Sequence, residues 1–337
     1  MPLRRRAFLG AAAAAVATAC VPTALPSSAS AAVLGPPETT TIRVAGPAGC
    51  DPWTWLAEDF LKEEGFSDVR ILTAQDYVTL SAPNSDLDVA FNSDVVVRVD
   101  AGQSIIALAG THTGCIELWA RTGINTIRDL RGKRILVDKK DALLDPFYGV
   151  WVSFLASVGI DPSEVQFTEI DDPSHTNIEH FIDGRSDAIL ASITEGPALR
   201  ADPKTPGKQI FDNAVDKPWS QYYCCLLVAR PEWTRANPNA AKRATRAVLR
   251  AIDFGAQDHA RTIAAAMDRK VEEDPRLLRE LIDHENFSWR DYDPEETLRF
   301  YALRLADAKL VKKTPSRIIA DGTDFSFFRK MQKELKA

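Results

Sequence analysis

This chain has no apolar run of the roughly 20 residues that a membrane-spanning helix needs. It has no basic excess either: 41 Lys and Arg stand against 47 Asp and Glu, a formal charge of −6, which argues against a general nucleic-acid binder. Of its five cysteines, no two are spaced Cys-x-x-Cys, so the usual zinc pattern is missing. His175 and His180 are five apart, off the spacing that puts two metal ligands on one helix face. Gly-x-Ser-x-Gly, His-Glu-x-x-His, Gly-x-Gly-x-x-Gly and the phosphate loop are all absent, and no solenoid-period repeat occurs. What remains is ordinary: 45% hydrophobic and 26% charged over 337 residues, enough for one large or two medium globular domains.

Residues 1–32 read as an export signal. Arg4, Arg5 and Arg6 form a positive start, residues 8–19 an apolar alanine-rich stretch, and Ala29-Ser30-Ala31 a small-residue cleavage site. Arg5-Arg6-Ala7-Phe8-Leu9 resembles the twin-arginine export signal; the alternative is an ordinary secretion signal. Cys20 follows small residues, as a lipid-attachment cysteine does, but alanine stands three places before it where leucine is usual. Cleavage near Ala31 or Ala32 is expected, leaving the rest at −9. Either signal places the protein outside the cytoplasm, in the periplasm, where a disulfide is permitted. Cys50 or Cys115 bridged to Cys224 or Cys225, and buried thiols acting as small apolar residues, both fit.

From residue 41 short apolar runs alternate with amphipathic stretches, the pattern of an α/β protein. Strands are expected at 41–46, 68–72, 87–91, 105–109, 115–121, 134–137, 165–170, 188–191 and 222–229. Helices are expected at 53–64, from 93, at 143–158, at 176–183 and after 194, and everything beyond Pro231 reads helical. The long strands at 115–121 and 222–229 enclose a second βαβα unit. The expected organisation is therefore two α/β lobes joined by a two-strand hinge: residues 33–118, then 119–224, then a return over 225–337 that includes a helical C-terminal tail.

Five motifs in this order resemble periplasmic substrate-binding proteins of the nitrate/sulfonate/taurine ABC-importer type, whose relatives bind thiamine-pyrimidine precursors. They are Thr41-Ile42-Arg43-Val44 before a Gly/Pro-rich turn; Ser85-Asp86-Leu87-Asp88-Val89-Ala90-Phe91; Ile127-Arg128-Asp129-Leu130-Arg131-Gly132-Lys133-Arg134-Ile135; Val158-Gly159-Ile160-Asp161-Pro162; and Arg230-Pro231-Glu232-Trp233 with Asn237-Pro238-Asn239-Ala240-Ala241. The resemblance covers nearly the whole chain beyond the leader. It implies a type II periplasmic-binding-protein fold that closes over a small molecule and delivers it to an inner-membrane permease. It also implies a monomer with no catalytic residue, cofactor or metal.

In open α/β sheets the ligand crevice lies at the carboxyl ends of the strands. The candidate ligand contacts are therefore Cys50, Asp51 and Trp53 after the first strand; Asn92, Ser93 and Asp94; Thr111 and His112; Asp141; and Thr194 with Glu195. Helix capping is the competing reading for Asn92, Ser93 and Asp94, and a satisfied, partly buried histidine for His112. Trp219, Tyr222 and Tyr223 either line the cleft or brace the chain crossing. The loop Asp138-Lys139-Lys140-Asp141-Ala142 lacks the Gly/Ser-rich character of anion-binding relatives. Asp51, Asp94, Asp141 and Glu195 favour a cationic or donor-rich ligand, whereas Lys139 and Lys140 favour an anion. An exported enzyme and a sensor-input protein are the functional alternatives.

Overall fold

The computed structural model describes residues 34–45, 54–72, 85–171, 175–192, 195–268, 274–284 and 286–334. The leader, Cys20, Cys50, Asp51, Trp53 and Thr194 lie outside these residues.

Two five-stranded sheets organise the chain. The first joins β1 (Thr41–Ala45), β2 (Asp68–Leu72), β3 (Leu87–Phe91), β4 (Ile106–Gly110) and β10 (Cys225–Ala229) in the order β2-β1-β3-β10-β4. The second joins β5 (Ile116–Arg121), β6 (Arg134–Val137), β7 (Gln166–Glu169), β8 (Ala188–Ser192) and β9 (Gly207–Asp212) in the order β7-β6-β8-β5-β9. In each, one strand runs antiparallel among the others: β10 against β3 and β4, and β5 against β8 and β9. These are the strands that enter each sheet from the other, so the reversal marks where the chain changes lobe.

The helices α1 (Thr54–Glu63), α2 (Asn92–Asp100) and α3 (Pro146–Ser157) belong to the βα units. α2 carries a Val-rich run with modest helix propensity, yet its residues from Asn92 to Val99 are all buried; tertiary packing overrides the local preference. The tail supplies α7 (Pro238–Gln257), packed on α1, and α10 (Pro294–Asp307), packed on α2 and α3. α10 therefore touches both lobes.

Several boundaries differ from expectation. α3 begins at Pro146 rather than Leu143, because Asp145 caps it and proline occupies its first turn. β10 begins at Cys225, since Trp219–Gln221 form a short 3-10 turn just before. β9 went unread: GKQIFD is half-exposed for most of its length, as an edge strand beside β5 can be, and it lacks a continuous apolar run.

Candidate functional site

The chain crosses between the sheets over residues 111–115 and again over 213–224. A Cys115–Cys224 disulfide ties the crossings together, with Cα atoms 6.4 Å apart; Cys225 stays outside it and is buried. The Asn213 side chain accepts the N–H groups of Cys115 and Ile116, both at 2.8 Å, and Cys224 N–H donates to His112 O at 2.8 Å. Gly110 ends β4 against the Tyr223 ring, where a Cβ would fall 2.3 Å from it. The Tyr223 hydroxyl donates to the Trp289 and Tyr292 carbonyls of the tail. Trp219 sits edge-on to Phe154, Phe211 and Phe300, and Tyr222 stacks on Phe300. These aromatics brace the crossing.

The strand ends of the second lobe enclose a cavity of about 60 Å³, walled by Leu136, Val137 and Asp138 from β6 and its following loop, Ile189 and Leu190 from β8, and Trp151 from α3. Asp145, Phe147, Asn177 and Glu195 complete it. They stand at the starts of α3, α4 (Asn177–Ile182) and α5 (Gly196–Ala201), where the chain leaves the sheet. The ring of Phe147 meets Phe91, at the end of β3 in the first lobe, edge-on at 5.4 Å. Ser93 packs against Gly149 in the first turn of α3, and Arg98 donates to Leu143 O at 3.5 Å. The two lobes therefore meet directly beside the cavity. A wider and more open hollow of about 640 Å³ lies along the second crossing, between Ala214 and Glu296.

Asp145 is 3% exposed. One carboxylate oxygen accepts the Phe147 and Tyr148 N–H groups at 2.9 and 3.4 Å; the other accepts those of Asp138 and Lys139 at 2.9 and 3.3 Å. Burial pushes its carboxyl upward, past the opposing pull of these amides. Glu195 accepts the Ser192 N–H and hydroxyl at 2.7 and 2.8 Å, holding the turn into α5. Asn177, partly exposed, lines the cavity, while its Oδ1 is buried and has no partner among the described residues.

The other sequence candidates go to different tasks. Asn92 does not cap α2: it is the first helical residue, and its amide donates across to Tyr223 O and, at 2.9 Å, to Cys224 O. Asn92 Oδ1 and Ser93 Oγ are buried without a partner among the described residues. Asp94 pairs with Arg98 at 2.8 Å, both side chains at most 4% exposed. Thr111 donates to Cys225 O at 3.0 Å, and His112 is fully buried beside it. Asp141 is exposed and accepts the Leu143 N–H at 2.9 Å. Of the candidates among the described residues, the cavity lining includes Glu195. The residues passed over, Asp145, Phe147 and Asn177, had one visible signal: Asp145-Pro146 is a helix-start signature.

A second contact between tail and second lobe lies next to α5. Glu117 on β5 is 1% exposed, takes the Trp119 indole N–H at 2.7 Å, and pairs with Arg200 of α5 at 2.9 Å. Gly196 permits this approach, since a Cβ there would fall 2.4 Å from the Glu117 carboxylate. From α9 (Pro275–His284), Glu280 pairs with the same Arg200, and His284 Nε2 lies 3.1 Å from Asp212 at the end of β9. The Asp212 bond raises the His284 pKa against the opposing effect of burial. Glu117, Asp212 and His284 are close enough together for a metal ion, as are His112 and the three neighbouring cysteines. Arg200 already pairs with Glu117 of the first group, and the disulfide removes two thiolates from the second.

A family model described as NMT1/THI5-like matches residues 57–261. No curated protein matches the chain. Among solved structures, the alkanesulfonate-binding protein SsuA of Xanthomonas axonopodis pv. citri, bound to MOPS, is similar at a TM-score of 0.66 and 14% identity, covering 86% of this chain and 99% of its own. The periplasmic nitrate-binding protein NrtA of Synechocystis PCC 6803 is similar at 0.67 and 12% identity, covering 90% of each chain. The desulfurization enzyme DSZB is similar at 0.59 and 15% identity, covering 88% of this chain and 99% of its own. At such identities the likeness is one of fold, and the fold is the type II periplasmic-binding-protein fold.

Proposed function

The chain belongs to the NMT1/THI5-like family, and from that premise we propose that it is an exported solute-binding protein. It captures a small organic molecule between its lobes and delivers it to the permease of an ABC importer. The observation that carries this reading is the cavity at the carboxyl ends of β6 and β8, lined by residues at the starts of three helices and set beside the contact of Phe147 with Phe91. A crevice built this way binds without needing chemistry. The polar groups that line it are Asp138, Asp145, Asn177 and Glu195, which offer no nucleophile with a base. The chain is thus read as a binder, although DSZB is an enzyme on a similar fold.

Capture proceeds by closure of 119–224 against 33–118 with 225–337, about the two stapled crossings. The closed form is what the permease recognises, and the protein works as a monomer. Export rests on residues 1–32 with their Arg5-Arg6 pair, and the Cys115–Cys224 bridge suits the periplasm. The test compares chain purified gently with chain stripped of small molecules by unfolding and refolding. Ligand held at about a hundred times its Kd adds about 2.7 kcal/mol, so the stripped chain should melt several degrees lower. Identical melting of the two preparations contradicts capture.

A further inference from the structure

Four side chains able to bind a metal converge where the two crossings meet. One ring nitrogen of His112 and the sulfurs of Cys115, Cys224 and Cys225 all lie within 4.8 Å of one another, and all four residues are buried. They come from both crossings and from the start of β10, so no sequence spacing announces them. The Cys115–Cys224 bridge uses two of the sulfurs. A phosphine returns them: it gives the S–S bond two electrons and becomes its oxide, water supplying the oxygen and the two thiol protons. Three thiols and an imidazole then stand together, the ligand set of a closed tetrahedral zinc site. With Zn–S bonds of about 2.3 Å, sulfurs in such a site are about 3.8 Å apart, inside the span these atoms already occupy.

The groups around this set are those a thiolate site needs. Thr111 Oγ1 has one proton and gives it to Cys225 O at 3.0 Å. Towards His112 Nδ1, 3.3 Å away, the same oxygen must accept, which keeps the imidazole proton on Nδ1 and the lone pair on Nε2. That is the neutral, oriented form in which a histidine binds metal. The Asn213 amide donates to Cys224 Sγ at 3.6 Å, a contact that steadies a thiolate, and Asn213 Oδ1 is itself fixed by the N–H groups of Cys115 and Ile116. Charge selects the ion. Three thiolates keep one net negative charge on a divalent ion and two on a monovalent one, and buried charge is costly, so zinc fits better than copper(I). The twin-arginine reading of Arg5-Arg6 has the chain fold in the cytoplasm, where thiols stay reduced. We propose that the reduced chain holds a zinc ion on His112, Cys115, Cys224 and Cys225, and that ion and bridge are alternative staples of the seam between the lobes. This site is separate from solute capture, and either can fail alone.

The test is titration of the full chain with cobalt(II), a coloured stand-in for zinc, after phosphine reduction and in parallel without it. Reduced wild type should bind cobalt with the sulfur-to-metal charge transfer and strong visible bands of a tetrahedral thiolate site. Zinc should displace the cobalt and raise the melting temperature of the reduced chain. Unreduced wild type should do neither. Cys225→Ala keeps the bridge for folding but removes one ligand. Once reduced, it should bind at least about a hundredfold more weakly, a loss that even an outer-shell partner can cause. Cys225→Ser serves the same comparison if the alanine variant fails to fold. Cobalt bands of equal strength in the reduced variant place the metal on Cys20 or Cys50 and overturn the inference. A reduced wild type whose melting is unchanged by zinc overturns it as well.

Discussion

Asp94 and Arg98 face each other one helical turn apart inside α2, both almost wholly buried. Burial outweighs the pull of Arg98 and lifts the Asp94 carboxyl above its usual range. Such a pair matters mostly for what its loss would expose. Asp94→Asn leaves a guanidinium in the core, and the expected cost is about 3–5 kcal/mol, read as a lower denaturant midpoint. Ligand affinity of the protein that still folds should not change, because the side chain is engaged with Arg98. Asp94 and Glu195 therefore part company, although both are acidic residues following a strand. Their difference was half legible: Arg98 stands at the i,i+4 spacing that pairs charges on a helix, whereas the sequence reading weighed Asp94 as a ligand contact or a helix cap. Asp145 was legible too, as an acidic residue just before a proline. Nothing local reveals that Asn92 reaches the carbonyls of residues 223 and 224; that contact exists only once β3 and β10 have paired.

At the scale of elements, alternation and turn residues located nine of the ten strands near their observed places, and the tail's helical character. They missed β9, whose partner β5 is some ninety residues earlier and whose exposure is mixed. They also missed what α9 does, since its ion pairs to Arg200 and Asp212 are decided by how the tail docks. These pairs make docking depend on pH. Asp212 pulls the His284 pKa above 6.5 despite burial, and the nearby Glu117 adds to this while Arg200 opposes it. A histidine whose folded pKa is raised stabilises the fold fully below its unfolded pKa and loses that contribution as pH rises through the folded value. Asp212 itself is desolvated, yet the bonds from His284 and Ala214 N–H bring its pKa below 3.8; its contribution fades as pH falls through that lowered value. The pair is thus complete only between these limits. Urea midpoints should fall between about pH 6 and pH 9, and His284→Ala should flatten that fall. An unchanged slope in the variant means the pair does not hold α9. Glu280 and Gln209 also face this cluster.

For the whole molecule, the legible part was the plan of two lobes, two crossings and a tail, because strand order and five ordered motifs express it directly. The less legible part is how the crossings are secured. The Cys115–Cys224 bridge spans 109 residues, and composition alone left it open against other pairings and against buried thiols. The bridge, the Asn213 contacts and the aromatic cluster around Trp219 hold the crossings firmly, which suits two lobes that turn about a fixed seam. The central claim is that this seam serves the capture of a solute. The most direct measurement is native mass spectrometry of the chain from Val33, purified gently and without dialysis. The account predicts a discrete bound mass, one per chain, that is lost on partial denaturation. A chain that carries no bound mass, and gains none when returned to the small-molecule fraction of its host, would contradict it.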